Sequence, residues 1–260
     1  MIPPPVPRWV VLIAVLGALF VLVPLAGVLA KVPWGSFVAL VTAPASLQAL
    51  GLSLATSLAS TGLCLVLGVP LGLLLARTRF PGRRVLRALV LLPLVLPPVV
   101  GGIALLYTFG SQGILGPALA TAGIRIGFST AAVVLTQTFV AMPFLVLSVE
   151  GALRTAGTRY EAVAATLGAG PTRTLMRITL PVIGPAVVSG CILSFARALG
   201  EFGATITFAG SAPGRTETLP IALYFGLQTD PDSSVALSLL LVAVSVIIVV
   251  LAYSRRSGLR

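Results

Sequence analysis

Apolar and polar residues fall in long blocks along this chain. Trp9 to Ala30 runs 22 residues without a charge, and Leu47 to Ala76 forms a second uncharged run. Further predominantly apolar stretches cover 88–109, 128–153, 182–208 and 233–253. Crossing a bilayer core takes about 20 apolar residues in a helix, which satisfies its own backbone groups in lipid. The blocks therefore predict an all-α polytopic membrane protein with six transmembrane helices, read as one domain over 1–260. The second run is longer than one crossing requires, so it must tilt or extend beyond the lipid. A cleavable leader ending at Leu29-Ala30 competes with an anchor for the first run. The single preceding arginine, Arg8, and the length of the run favour the anchor.

Breaks within the blocks refine this picture. The third run carries Pro93, Pro97, Pro98 and the pair Gly101-Gly102, residues that bend a helix or permit close approach. Such residues persist at membrane depth where neighbours re-satisfy the backbone, which suits a span facing a pathway or a kinked packing helix. Lys31 to Ser46 and Gly110 to Gly127 read as loops, and 210–232 as a loop holding a short helix around Leu219 to Leu227.

Composition closes off other classes. At 57% hydrophobic and 9% charged, with mean hydropathy +1.11, the chain has too few polar groups to cover a water-soluble globule. A net charge of +11 could suggest nucleic acid, but the arginines lie in short loops, where the positive-inside rule accounts for them. Arg8, Arg77, Arg79, Arg83, Arg84, Arg87, Arg154, Arg159, Arg173, Arg177, Arg255, Arg256 and Arg260 share one side, thirteen of seventeen basic residues. Both termini are thus expected in the cytoplasm. Cys64 and Cys191 fall inside apolar runs and read as small hydrophobes, and with no histidine the chain offers almost no metal ligands.

One polar stretch, 154–181, stays outside the lipid between two apolar runs. Within it Thr158 and Glu161 have the spacing of a capping box. Ala162 and Ala165, three apart, leave one helix face nearly bare for a close-packing partner. Gly168, Gly170 and Pro171 stop this helix, and a second start at Pro171 leads to Leu180-Pro181, where proline fixes the entry angle of the fifth span.

Glu161-Ala162-x-Ala164, then Gly168, then Ile178-x-Leu180-Pro181 resembles the EAA loop of binding-protein-dependent ABC importer permeases. Val163 stands where the commoner pattern has a second alanine, and the Glu-to-Gly spacing is one residue longer than in many members. A second block, Ser194 to Phe208 (SFARALGEFGATITF), with Pro213-Gly214, Thr216, Thr218-Leu219-Pro220 and Tyr224, looks like the sulfate, thiosulfate and molybdate branch, most of all its molybdate permeases. The resemblance implies the type I importer permease fold, with a cytoplasmic coupling helix carrying Thr158, Glu161, Ala162, Ala164, Ala165, Gly168, Ile178, Leu180 and Pro181. It also implies a prokaryotic inner-membrane location and a homodimer. Two cytoplasmic ATPase subunits would bind ATP and magnesium, and an extracytoplasmic binding protein would deliver an oxyanion. Molybdate is the expected substrate, with sulfate, thiosulfate, tungstate or a non-oxyanion as alternatives. Consistent with this division of labour, the chain has no GxxxxGK[ST] phosphate loop, so it is expected to be no enzyme and to carry no cofactor.

Arg197 and Glu201 lie four apart in the fifth run and share a helix face. Charges at that depth mark either a pathway or a structural ion pair. Ser194, Gly200, Gly203, Thr205 and Thr207 cluster around them and are candidate gate residues. Apart from this pair, Glu150 near the end of the fourth run is the only other charge inside a span, too few for a secondary transporter with its own coupling acids.

Overall fold

The computed structural model describes residues 7–257, with side chains described for 7–248 and 250. Residues 1–6 and 258–260, among them Arg260 of the charge count, lie outside it, as do the side chains of Arg255 and Arg256. In chain order the helices are α1 (Arg8–Lys31), α2 (Phe37–Val41), α3 (Pro44–Arg77), α4 (Arg83–Leu91), α5 (Pro98–Phe109), α6 (Gly116–Thr121) and α7 (Thr130–Ala156). There follow α8 (Arg159–Thr166), α9 (Pro171–Thr174), α10 (Leu180–Leu199), α11 (Gly203–Ala209), α12 (Leu219–Thr229) and α13 (Pro231–Ser257). No strand occurs among the described residues. The expected helix within 210–232 is α12, and the Lys31–Ser46 loop proves to contain the short α2.

Local chemistry explains several boundaries. Prolines open α3, α5, α6, α9 and α10 in the first turn, where a missing N–H costs nothing. Ser129 caps α7, its hydroxyl accepting the Ala132 amide at 3.3 Å.

Five helical stretches among the described residues are long and apolar enough to cross a membrane: α1, α3, α7, α9 through α10, and α13. The sixth expected span is different. The run over 88–109 is not one helix, because Arg83–Leu94 and Pro98–Phe109 are bent by 115°. Pro97 and Pro98 withdraw two amide donors and exclude helical backbone at the residues before them, so the chain turns there. The fifth run also corrects the expectation of a helix over 182–208. The helix ends at Leu199, and α11 begins separately at Gly203.

The centre of the bundle is α7, packed between α3 and α10. Cys64 from α3, Ala141, Leu145, Val149 and Leu153 from α7, and Ile183 and Ala198 from α10 make the buried core between these three. The α3 face turned inward is a stripe of small residues: Ser46, Ala49, Ser53, Ser57, Ser60, Cys64, Gly68 and Gly72. Small residues at spacings of three and four let helix backbones approach closely, which drives association where lipid removes the hydrophobic incentive. The seam is tight at Gly72, where an added Cβ would lie 2.8 Å from Val149 Cγ1 and 2.9 Å from Val149 Cβ. By contrast, none of the described residues of α1 is buried, which leaves that helix at the periphery beside α13.

Two alanine substitutions on α3 separate packing from helix propensity. Gly72→Ala should destabilise by about 1–3 kcal/mol through overpacking, read as a lower thermal midpoint in detergent. Gly62→Ala, with nothing within 4 Å of its Cβ position, should be neutral or slightly stabilising. Equal midpoints for the two variants would show that the seam is not close-packed.

Candidate functional site

The polar stretch 154–181 folds onto the arginine-rich end of the bundle. Its first helix, α8, stands where the capping box was expected, but the box does not form. Thr158 occupies the N-cap position and makes no side-chain capping bond. Glu161 turns away from the helix start because stronger donors are in reach. Its Oε1 accepts Arg77 Nη2 at 3.1 Å and Thr179 Oγ1 at 2.9 Å. The same Arg77 Nη2 also donates to the Gly157 carbonyl at 2.6 Å. The end of α3, the first turn of α8 and the segment before α10 are thereby joined at one carboxylate, and Arg77 adds the end of α7 through Gly157. A charge-assisted bond of this kind outcompetes a neutral amide, which is why Glu161 serves as a tie rather than a cap.

The far end of α8 terminates as the sequence implies. Gly168 has φ +77°, and its amide donates to Ala165 O while Ala169 donates to Ala164 O, each at 3.0 Å. This is a Schellman closure, which needs a residue that tolerates left-handed backbone. Ala162 and Ala165 are exposed, whereas Ala164 is buried against the bundle. The outer surface is more apolar than bare backbone alone: Tyr160, Val163, Leu167 and Met176 are all exposed there.

From Pro171 the chain remains helical into the bundle. Leu175 to Thr179, containing Ile178, forms a single π turn in which the Leu180 amide reaches back to the Leu175 carbonyl. The expected elbow at Leu180-Pro181 is therefore not a break. The extra residue of the π turn rotates Thr179 inward to meet Glu161, an instance of a local insertion re-aiming one side chain.

At the opposite end of α10 the candidate gate residues come apart into different roles. Arg197 Nη1 and Glu201 Oε2 pair at 2.6 Å, with Glu201 fully buried and Arg197 part-exposed. The other oxygen of Glu201 accepts the Ala204 amide at 2.9 Å, so this carboxylate ties the end of α10 to the start of α11. Ser194 is buried, and its hydroxyl donates to the Ala141 carbonyl at 3.1 Å, which places it in helix packing instead of facing a pathway. Thr207 donates to its own helix at Gly203 O, 2.8 Å away. Thr205 is buried with no partner for its hydroxyl. Gly203 abuts Pro98, where a Cβ would lie 2.9 Å from Pro98 Cβ, and Gly200 is exposed at the turn. α11 leans on α5 through Gly102, whose Cβ would fall 2.6 Å from the Ala204 carbonyl oxygen.

Two ion-pair nodes are not evident from the sequence. Arg77 reads in the sequence only as one of thirteen arginines on one side, although it is the last residue of α3 and sits where that helix meets 154–181. Glu150 was noted for depth alone, yet its two oxygens hold Arg87 at 3.0 Å and Arg154 at 2.6 Å. The Glu150–Arg154 spacing of four was the available signal for the second contact.

Known proteins converge on one family. The chain is 60% identical over 247 residues, 95% of this chain and 94% of the relative, to a molybdenum transport system permease protein of Mycobacterium tuberculosis. It is 40% identical over 208 residues, 80% of this chain and 91% of the relative, to the protein of that description in Escherichia coli. Among solved structures, a bacterial ABC transporter involved in the import of the acidic polysaccharide alginate superposes with TM-score 0.74 at 20% identity, covering 96% of both chains. Residues 68–257 match the family described as the binding-protein-dependent transport system inner membrane component. The chain belongs to that family of multi-pass membrane permeases of ABC importers.

Proposed function

We propose that this chain is the permease subunit of an ATP-driven importer for molybdate, working as a homodimer in the prokaryotic inner membrane with both termini in the cytoplasm. Two cytoplasmic ATPase subunits, which bind ATP and magnesium, drive it, and an extracytoplasmic binding protein delivers the anion. The observation that carries the substrate is the 60% identity to a molybdenum permease over nearly the full chain. The arginine-rich end of the helices supports the orientation through the positive-inside rule. The deciding experiment is reconstitution in vesicles with the ATPase and binding protein. ATP-dependent uptake of molybdate well above that of sulfate is expected, and preference for sulfate would overturn the substrate.

In this reading α8 is the coupling helix. Its exposed surface of Tyr160, Ala162, Val163, Ala165 and Leu167 is apolar and held at fixed height by Glu161, the form of a knob that enters a partner's groove. A tie from α8 to Arg77 and Thr179 passes a displacement of the knob to α3 and α10 together. Ala165→Arg places bulk and charge on that exposed face without touching the bundle. It should keep the thermal midpoint of the parent while uptake falls about tenfold or more, the loss of a contact worth roughly 1.4 kcal/mol. Copurification of the ATPase at parental stoichiometry with uptake intact would remove α8 from this role.

Arg197 is the pathway candidate that the geometry leaves available, because only Nη1 is committed to Glu201. Replacing it alone would strand a buried carboxylate, so the informative variant is Arg197→Gln with Glu201→Gln, which keeps a neutral hydrogen-bonding pair. Assembly of this double variant should match the parent while molybdate uptake drops severalfold. Parental uptake would make the pair a structural tie and nothing more.

A further inference from the structure

A cleft of about 590 Å³ opens at the arginine-rich end of the bundle, beside the Glu150 node. Its basic wall is Arg79, Arg83, Arg84, Arg87 and Arg154, and Phe80 and Val85 supply an apolar wall. Two of the five arginines are spent, since Arg87 and Arg154 share Glu150. Among the described residues no carboxylate lies within ion-pair distance of Arg79, Arg83 or Arg84. The N-terminus of α4, from Gly82 to Val85, also lines the cleft, and no side chain caps it. Unpaired guanidinium groups and uncapped first-turn amides together make a site for a phosphate-type anion.

The position of the cleft and its apolar side narrow the anion further. Its lining residues Arg79 and Arg154 flank the ends of α3 at Arg77 and of α7 at Ala156, two helices long and apolar enough to cross a membrane, which puts the cleft at one end of those helices. Beyond it Val85 and Leu89 of α4 and Leu92 directly after it stand at i, i+4 and i+7, all exposed, so one apolar stripe runs from the arginines along this segment. The segment carrying the stripe is bent by 115° from α5, so the two do not continue as one straight helix. A small inorganic oxyanion would use the arginines and leave the stripe bare. An amphiphile with an anionic phosphate head and acyl chains uses both. We propose that this cleft binds the headgroup of an anionic phospholipid of the surrounding leaflet, with its acyl chains against Val85, Leu89 and Leu92. The bound lipid would pack α4 against α7 by satisfying charges that the protein leaves unpaired. The lipid site does not depend on which substrate the permease carries.

Native mass spectrometry of the full chain, with phosphatidylglycerol or phosphatidylcholine added to the detergent, provides the test. The parent should retain phosphatidylglycerol preferentially and gain thermal stability from it. Each of Arg79→Gln, Arg83→Gln and Arg84→Gln should lower that retention about fivefold, while replacement by lysine should largely preserve it. Since Arg84 is exposed and unpaired, Arg84→Gln gives a readout even if a triple variant fails to fold. Equal retention of the two lipids, or unchanged preference in Arg84→Gln, would overturn the proposal. So would displacement of phosphatidylglycerol by millimolar molybdate or inorganic phosphate that itself stabilises the protein, which would reassign the cleft to a free oxyanion.

Discussion

The Glu161 carboxylate is the contact on which the helix projecting from the arginine-rich end of the bundle depends. It sits between Arg77 at the end of α3 and Thr179 ahead of α10, and Arg77 extends the tie to the end of α7 through Gly157. Without that carboxylate α8 would be a two-turn helix too short to persist on its own, since isolated helices of this length are not stable in water. With it, an eight-residue helix becomes a fixed projection whose position reports on three core helices at once.

The three core helices are in turn held by contact distance rather than by apolar burial from water. Small residues along α3 bring it against α7, and hydroxyls complete the seam, as in Ser60 with Thr138 at 3.3 Å and Ser194 with Ala141 O. Carboxylates are rationed to junctions: Glu150 gathers Arg87 and Arg154, and Glu201 joins Arg197 to the start of α11. Each buried acid therefore sits where the chain changes direction or leaves the lipid, and each is paired, which is the condition for keeping an ionised group there. The surfaces left over are of two kinds. α1 exposes an evenly apolar surface suited to lipid, while α8 and α4 expose apolar residues next to arginines at the bundle end, a composition suited to proteins and headgroups.

Block hydropathy and the EAA-like spacing were enough to identify helices and family and to place a short polar helix between the fourth and fifth apolar runs, because these depend on local composition and on short-range spacing. Gly168 as a helix stop and the Arg197–Glu201 pair were legible for the same reason: both are contacts within five residues. The sequence also placed prolines where the third run turns, whereas the close approach of Gly102 to the α11 backbone is a contact from far along the chain.

What the sequence determined, then, was which residues lie in helices and which face one another within a turn or two. The tertiary structure alone decided what Glu161 binds, since a capping box and a tie to Arg77 look identical in sequence and are separated only by which donor is brought near. It likewise decided that Ser194 belongs to packing and that the fifth span stops at Leu199. A side chain with several possible partners takes the one that desolvation and charge make strongest, and which partners are within reach is fixed only when distant helices pack.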